Sequence, residues 1–302
     1  MQKFICSAVF ATTMFFSANA QNVSEDLLMH DLVGGNVKRY VIMPGSIIEH
    51  NFNDKEYETS WTYFDTEGRV LRDGIWMVFV YDANGRYVRG QFLNATMERN
   101  ERGHIKRLAN GELGFFEAWY NYEYQYNEFG KKVVENYDTP FSSGTITYVY
   151  DADNELVSSH TEYDAEGNQG TIDYTYSIVS RDNYGNWTER KVHRVEKEIE
   201  DGKVMTTTSE DSQECRQIEY YGEGERSVDA EKFILPVVVK GTNVRLRLGP
   251  STNHQILSKG NKPVYPRKGE RMKYLGETDD FYHVEYKDAQ VYISKKFCER
   301  EL

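Results

Sequence analysis

With 302 residues, 14% of them aromatic, and 23 Tyr against only 6 Pro, the chain is long enough for two ordinary domains, and its composition favours half-buried strands over helix or disorder. A formal net charge of −12 sets it against nucleic acid as a partner of the whole protein, and no apolar run beyond the first twenty residues reaches membrane length, so no membrane span is expected. The charge is uneven: from Val237 to the end 13 Lys and Arg face 8 Asp and Glu, so an acidic body carries a basic end that could meet an anionic polymer.

Residues 1–20 read as a secretory signal, with Lys3 as the positive start, Phe4 to Phe16 as a short apolar run and Ala18-Asn19-Ala20 as the cleavage site. Cys6 lies inside the apolar run, which does not indicate a lipid anchor. The mature chain then begins near Gln21 and is exported, to the periplasm, the cell surface or the outside. Cys215 and Cys298 remain, an even number in an oxidising compartment, where a disulfide between them and two separate buried thiols are both open readings.

Ser24-Glu25-Asp26 ahead of Leu27 and Leu28 predicts one capped helical turn, and Val37 to Met43 a first strand. A turn phrase then recurs: an aromatic, Asp or Asn, two free positions, and Gly. It is clearest at Tyr163-Asp164-Ala165-Glu166-Gly167 and Tyr81-Asp82-Ala83-Asn84-Gly85. Copies begin at Phe64, Tyr81, Arg99, Tyr126, Tyr150, Tyr163 and Arg181, separated by 17, 18, 27, 24, 13 and 18 residues. The Asp side chain accepts a backbone N–H two residues on and Gly takes the left-handed conformation, so each copy predicts a reversal between two strands. The 13-residue step has room for one strand only, which places the Tyr163 turn at the opposite edge of the sheet. Arg99 and Arg181 replace the leading aromatic, and Asn154 replaces Gly at a position Asn also tolerates.

Between the turns the period is two. Phe116, Ala118, Tyr120, Tyr122, Tyr124 and Tyr126 alternate with mostly polar residues, as do Ile172, Tyr174, Tyr176 and Ile178. Ile75 to Tyr81 is apolar at successive positions, which predicts cover on both faces. Trp187 to Ile199, a reversal at Asp201-Gly202, and Lys203 to Thr208 read as one further hairpin, with Ile218, Tyr220 and Tyr221 as a last short strand. The phrases Phe64-Asp65-Thr66-Glu67-Gly68-Arg69, Tyr81-Asp82-Ala83-Asn84-Gly85-Arg86, Tyr163-Asp164-Ala165-Glu166-Gly167-Asn168 and Asn183-Tyr184-Gly185-Asn186-Trp187 resemble the tyrosine-aspartate (YD) repeats of Rhs-type and teneurin-type surface proteins. For residues 21–222 this resemblance implies a curved antiparallel meander of hairpins, too short to wind a shell around a cargo, and no enzyme.

Residues 223–236 read as a linker, opened by the Gly- and charge-rich run Gly222 to Asp229. Residues 237–302 change pattern: Gly241-Thr242-Asn243-Val244-Arg245-Leu246-Arg247, then Gly249-Pro250-Ser251-Thr252, Lys268-Gly269-Glu270 before Met272-Lys273-Tyr274-Leu275, and the closing alternations Phe281 to Tyr286 and Val291 to Ser294. This order resembles the bacterial SH3-like (SH3b) family and implies a small β-barrel that binds rather than catalyses, with cell-wall peptides or a neighbouring domain as typical contacts. Val291 stands where the family places Gly, and Lys259 to Arg267 is an added loop. A ligand groove would draw its contact area from Tyr265, Tyr274, Phe281, Tyr282, Tyr286 and Tyr292, with Asn243, Arg245 and Arg247 for polar orientation. A barrel this small needs several of the same aromatics as core.

No His-Glu-x-x-His, Gly-x-Ser-x-Gly, phosphate-cradling loop or Cys-x-x-Cys is present, so no catalytic residue, metal ligand set or cofactor is assigned. Asp151 to Glu162 has acidic residues at the spacing of a calcium loop, but Leu156 occupies the Gly position and the flanks are strand-like. His160 near Glu162 and Asp164 reads as a surface pair, and the Tyr120-to-Tyr126 ladder as either a buried sheet face or a stacking platform for sugar rings. The expectation is an all-β, exported, non-enzymatic binding or scaffold protein whose SH3-like end contacts peptidoglycan or an envelope protein or peptide. The alternatives are an envelope hydrolase or its accessory, and a carbohydrate-binding surface protein. The sequence sets no oligomeric state.

Overall fold

The computed structural model describes residues 23–44, 61–73, 77–90, 95–110 and 120–300. The segment read as a signal lies outside them, as do Ile75, Phe116 and Ala118. Ser24 caps α1 (Glu25–Met29), its hydroxyl accepting the Leu27 N–H at 3.2 Å. The fourteen strands that follow are β1 (Val37–Pro44), β2 (Thr62–Phe64), β3 (Val70–Asp73), β4 (Met77–Tyr81), β5 (Tyr87–Gly90), β6 (Thr96–Arg99), β7 (Ile105–Asn110), β8 (Tyr120–Tyr126), β9 (Lys132–Asp138), β10 (Ser143–Tyr150), β11 (Leu156–Ala165), β12 (Asn168–Arg181), β13 (Trp187–Glu200) and β14 (Lys203–Tyr220). Among the described residues they form one antiparallel sheet in which consecutive strands pair, β14 returns to pair with β1, and β5 and β6 are left as the two edges. Across that gap the Tyr87 hydroxyl donates to the Ala95 carbonyl at 2.6 Å. The meander therefore curls into a nearly closed barrel, where its length alone suggested a sheet unable to enclose anything.

Six of the seven turn phrases fold alike. Asp65, Asp82, Asn100, Asn127, Asp151 and Asp182 each accept, on Oδ1, the backbone N–H groups two and four residues on, at 2.8 to 3.1 Å. The position that closes the loop has positive φ, with Asn154 (62°) doing what Gly68 (76°) and its counterparts do. The segment with calcium-loop spacing is thus a hairpin, its Asp151 occupied by backbone N–H groups. All six turns join an even-numbered strand to the next odd one and so lie at one end of the barrel. The phrase at Tyr163, clearest in sequence, is the exception: Glu166 (54°) and Gly167 (89°) form a two-residue reversal at the opposite end, where the 13-residue spacing placed it.

The leading tyrosine has a repeated task. Tyr81, Tyr126 and Tyr150 donate their hydroxyls to the carbonyls of Val70 (3.0 Å), Ile105 (2.5 Å) and Lys132 (2.8 Å). Each acceptor lies two residues past the closing Gly of the preceding turn at that end, so every such Tyr ties one hairpin to the one before it. Near the other end, cross-strand partners Tyr137 and Gly144, and Tyr163 and Gly170, place a ring over a glycine: a Cβ at Gly170 would lie 2.5 Å from the Tyr163 hydroxyl.

One expectation is corrected at β14. It runs unbroken from Lys203 to Tyr220 where one strand ending at Thr208 and a short one at Ile218 to Tyr221 were anticipated, because Glu210 and Glu214 between them pair with Arg194 and Arg190 of β13. The expected double cover of β4 is met over the described part. Met77 and Phe79 join Leu27, Met29 and Leu32 in an inner apolar cluster, while Val78 and Val80 join Val41, Trp61 and Leu71 in an outer one.

The outer cluster continues into the C-terminal unit. There β15 (Val237–Val239), β18 (Arg271–Glu277), β19 (Phe281–Tyr286), β20 (Ala289–Ser294) and β21 (Cys298–Arg300) form a five-stranded antiparallel sheet, beside a hairpin of β16 (Ser258–Lys259) and β17 (Lys262–Pro263). A 3-10 turn at Ala230–Phe233, inside the stretch read as linker, packs between the two units, with Phe233 on the Tyr63 ring at 4.6 Å between centroids.

Candidate functional site

Eight strands enclose about the space their own side chains fill, so fourteen leave room over. The N-terminal segment fills part of it. A five-residue helix has no stability of its own, and here α1 and the residues after it are held by the turns. Ser24 donates to the Gly68 carbonyl at 2.7 Å. Asp26, buried, accepts the Val70 N–H at 2.9 Å and a forked contact from Arg99 at 2.5 and 2.8 Å. Lys131 pairs with Asp31 at 2.6 Å, and Trp187 Nε1 donates to the same carboxylate at 3.1 Å. Asn186, wholly buried, accepts the Val33 N–H at 2.6 Å and donates to the Gly34 carbonyl at 2.8 Å. Arg99, which breaks the aromatic rule of the repeat, does so at a position that meets this plug.

Beneath the plug lies a cavity of about 350 Å³, lined by Met29 and His30 from the end of α1, Tyr40, Asp73, Met77, Leu108, the ladder Tyr120, Tyr122 and Tyr124, and Lys132 and Glu135. The ladder residues point inward because β8 alternates. Tyr122 and Tyr124 hold parallel, stacked rings, 3° apart with centroids 6.3 Å apart, along one side of the cavity. Lys132 and Glu135 pair at 2.5 Å, Tyr148 donates to the same Glu135 oxygen at 2.8 Å, and the ammonium lies over the Tyr148 ring at 4.9 Å. Burial works against both charges, but each partner more than offsets it: the Lys132 pKa stands well above its usual value and that of Glu135 below. Burial raises the Tyr40 and Tyr122 hydroxyls to about 12. Arg216, stacked 3.8 Å over Trp187, is lowered to about 10 by burial and stays a cation at neutral pH.

His30 is the unfinished group. Its side chain is 8% exposed; Nδ1 meets the Tyr40 hydroxyl at 2.9 Å, while Nε2 is buried without a hydrogen-bond partner and lies 4.0 Å from Asp73 Oδ2. That distance is too long for a hydrogen bond. Asp73 Oδ1 accepts from Thr62 at 2.9 Å, and the Asp73 side chain is 40% exposed. Burial lowers the His30 pKa, so the ring is neutral at pH 7. A carboxylate near Nε2 favours the tautomer with its proton there, Tyr40 then donating to Nδ1. The cavity thus presents an N–H donor and a carboxylate oxygen side by side above a tyrosine wall.

The residues singled out in the C-terminal unit do not gather in this way. Tyr274, Phe281, Tyr282 and Tyr286 are buried in its core. Tyr265 is exposed, Tyr292 stacks on His283 at 4.5 Å, and Asn243 and Arg245 are exposed, Asn243 at positive φ (55°). Arg247 is tied by its backbone to Tyr292 and by its guanidinium to the His254 carbonyl at 2.9 Å. No disulfide joins Cys215 and Cys298, and burial pushes the Cys298 thiol up to about 12. His160 sits half-exposed against Asp173 at 2.6 Å. The sequence reading found the tyrosine ladder but not His30, Asp73, Lys132 or Glu135; the signal for the last two was a charge at an inward position of a strand beside an aromatic row. No family model matches the chain, and a search of curated proteins finds no match.

Proposed function

We propose that the chain is an exported, non-catalytic binding protein that holds a small ligand in the barrel cavity and meets the cell envelope through its C-terminal unit. The observation that carries this reading is the buried, unpartnered Nε2 of His30 facing a cavity among tyrosines. A buried donor without a partner costs about 1–3 kcal/mol, and a ligand removes that cost. In the envelope contact the C-terminal unit acts as an SH3-like module on peptidoglycan or an envelope protein, and its surplus of Lys and Arg, with Arg245 exposed, suits it. The YD-like meander is then a container as well as a scaffold.

Binding is favoured over hydrolysis by Glu135. Glycoside hydrolysis needs a carboxylic acid kept protonated, and Lys132 and Tyr148 hold Glu135 ionised. Purified sacculi incubated with the full chain test both halves of the reading. Retention of the protein with no release of reducing ends is expected, together with weaker retention of Arg245→Glu. Release of reducing ends without added enzyme would establish a hydrolase instead.

A further inference from the structure

The geometry points to a neutral, hydroxyl-bearing ring, of the size of a single sugar, as the ligand of the barrel cavity, with one hydroxyl clamped between His30 Nε2 and Asp73 Oδ2. This inference rests on the cavity being a binding site, as proposed above, and names the class of molecule it takes.

Three observations converge. The first is the pairing of polarity. His30 Nε2 and Asp73 Oδ2 are 4.0 Å apart, and an oxygen placed beside that line reaches both at hydrogen-bond length. With the proton on Nε2, the site offers one donor and one acceptor, and a hydroxyl is the small group that accepts from the first and donates to the second. An ammonium would turn its N–H groups toward another N–H, and a carboxylate would be set against Asp73. The second is the wall: Tyr122 and Tyr124, stacked parallel to within 3°, line the cavity together with Tyr120, and tyrosines bring apolar ring carbon and a hydroxyl together, the mixed surface that suits the C–H and O–H groups of a sugar ring. The third is charge and size. The two other charges of the cavity, Lys132 and Glu135, are bonded to each other at 2.5 Å and leave no ion for a charged ligand to pair with except Asp73. About 350 Å³ lies at the small end of ligand sites, which run from about 300 to 1,000 Å³.

Calorimetric titration of the full chain with glucose, N-acetylglucosamine, choline and glucuronate, repeated on Asp73→Asn and His30→Gln, tests this. Asp73 is partly exposed, so Asp73→Asn is expected to fold; its melting curve checks this. We expect one of the neutral sugars to bind and each variant to weaken it about 10- to 100-fold, the range of a lost hydrogen bond to a charged or buried group. Two results overturn the assignment while leaving the cavity as a binding site: choline or glucuronate binding in place of the sugars with loss in both variants, or a sugar bound tightly in both variants. Binding of none of the four compounds would overturn the cavity reading along with it.

Discussion

At the scale of single residues, the turn phrase divides its labour so that each part has its own test. Tyr126 ties its hairpin to the previous one through the Ile105 carbonyl. Tyr126→Phe leaves the ring in place and removes that bond, so a loss of about 1 kcal/mol is expected from chemical denaturation. Gly103 and Gly130 share the same left-handed backbone, but a Cβ at Gly103 meets nothing within 4 Å, while at Gly130 it lies 2.8 Å from Glu25 and 3.1 Å from Leu28. Gly103→Ala should cost the conformational strain alone, about 1–2 kcal/mol, and Gly130→Ala clearly more, because it also pushes on the plug. Equal losses would mean that the plug does not press on that turn. His30 carries a pH signature. Burial lowers its pKa from 6.5, helped by Lys132 and Arg216 and opposed by Asp73 and Asp26. Above about pH 6.5 the ring is neutral folded and unfolded. Below it the unfolded chain takes the proton first, so stability falls with acid until the lower folded pKa is passed. Melting temperatures between pH 5 and 8 should show that acid slope reduced in His30→Asn; His283, also lowered by burial, is present in both proteins and cancels.

At the scale of elements, α1 and the residues after it are made by their surroundings. Asp26 is buried with its charge answered by Arg99 and the Val70 N–H. Asp26→Ala would leave Arg99 without its carboxylate, keeping the Gly103 carbonyl, and breaking such a pair costs about 3–5 kcal/mol. Residues 24–34 are then expected to lose protection in hydrogen exchange before the strands do; simultaneous loss would show that plug and barrel unfold as one unit. These elements also mark how far the sequence could be read. The capped turn at Ser24 and the six Asp or Asn reversals were legible because each is closed by hydrogen bonds within five residues, and the start of β1 because its own run from Val37 to Met43 marks a strand. The plug was not, since Asp26 to Arg99 and Asp31 to Lys131 join distant residues and leave no local spacing. Arg99 and Arg181 read as worn copies of the phrase. Arg99 is a plug contact, and Arg181 pairs with Glu155 of the preceding turn at 2.6 Å.

At the scale of the whole molecule, alternation predicted an all-β chain with one aromatic face, and the structure turns the aromatic ladder of β8 inward. Closure into a barrel was not legible, because it depends on β14 returning to β1, a pairing of residues such as Val41 and Gln217 that no local pattern announces. The candidate site followed the same division: Tyr120 to Tyr124 could be read from period two, but the meeting of His30 with Asp73 exists only once the plug is seated. Because Val41, Trp61 and Val78 on the barrel share one apolar cluster with Val237 and Leu246 of the C-terminal unit, binding is best assigned in the intact chain. Hydrogen exchange of the full protein with and without a saturating neutral sugar measures this most directly. Protection gathered at residues 29–30 and along β8, with little change from 241 to 292, is the predicted result; protection confined to residues 241–292 would contradict a ligand held inside the barrel.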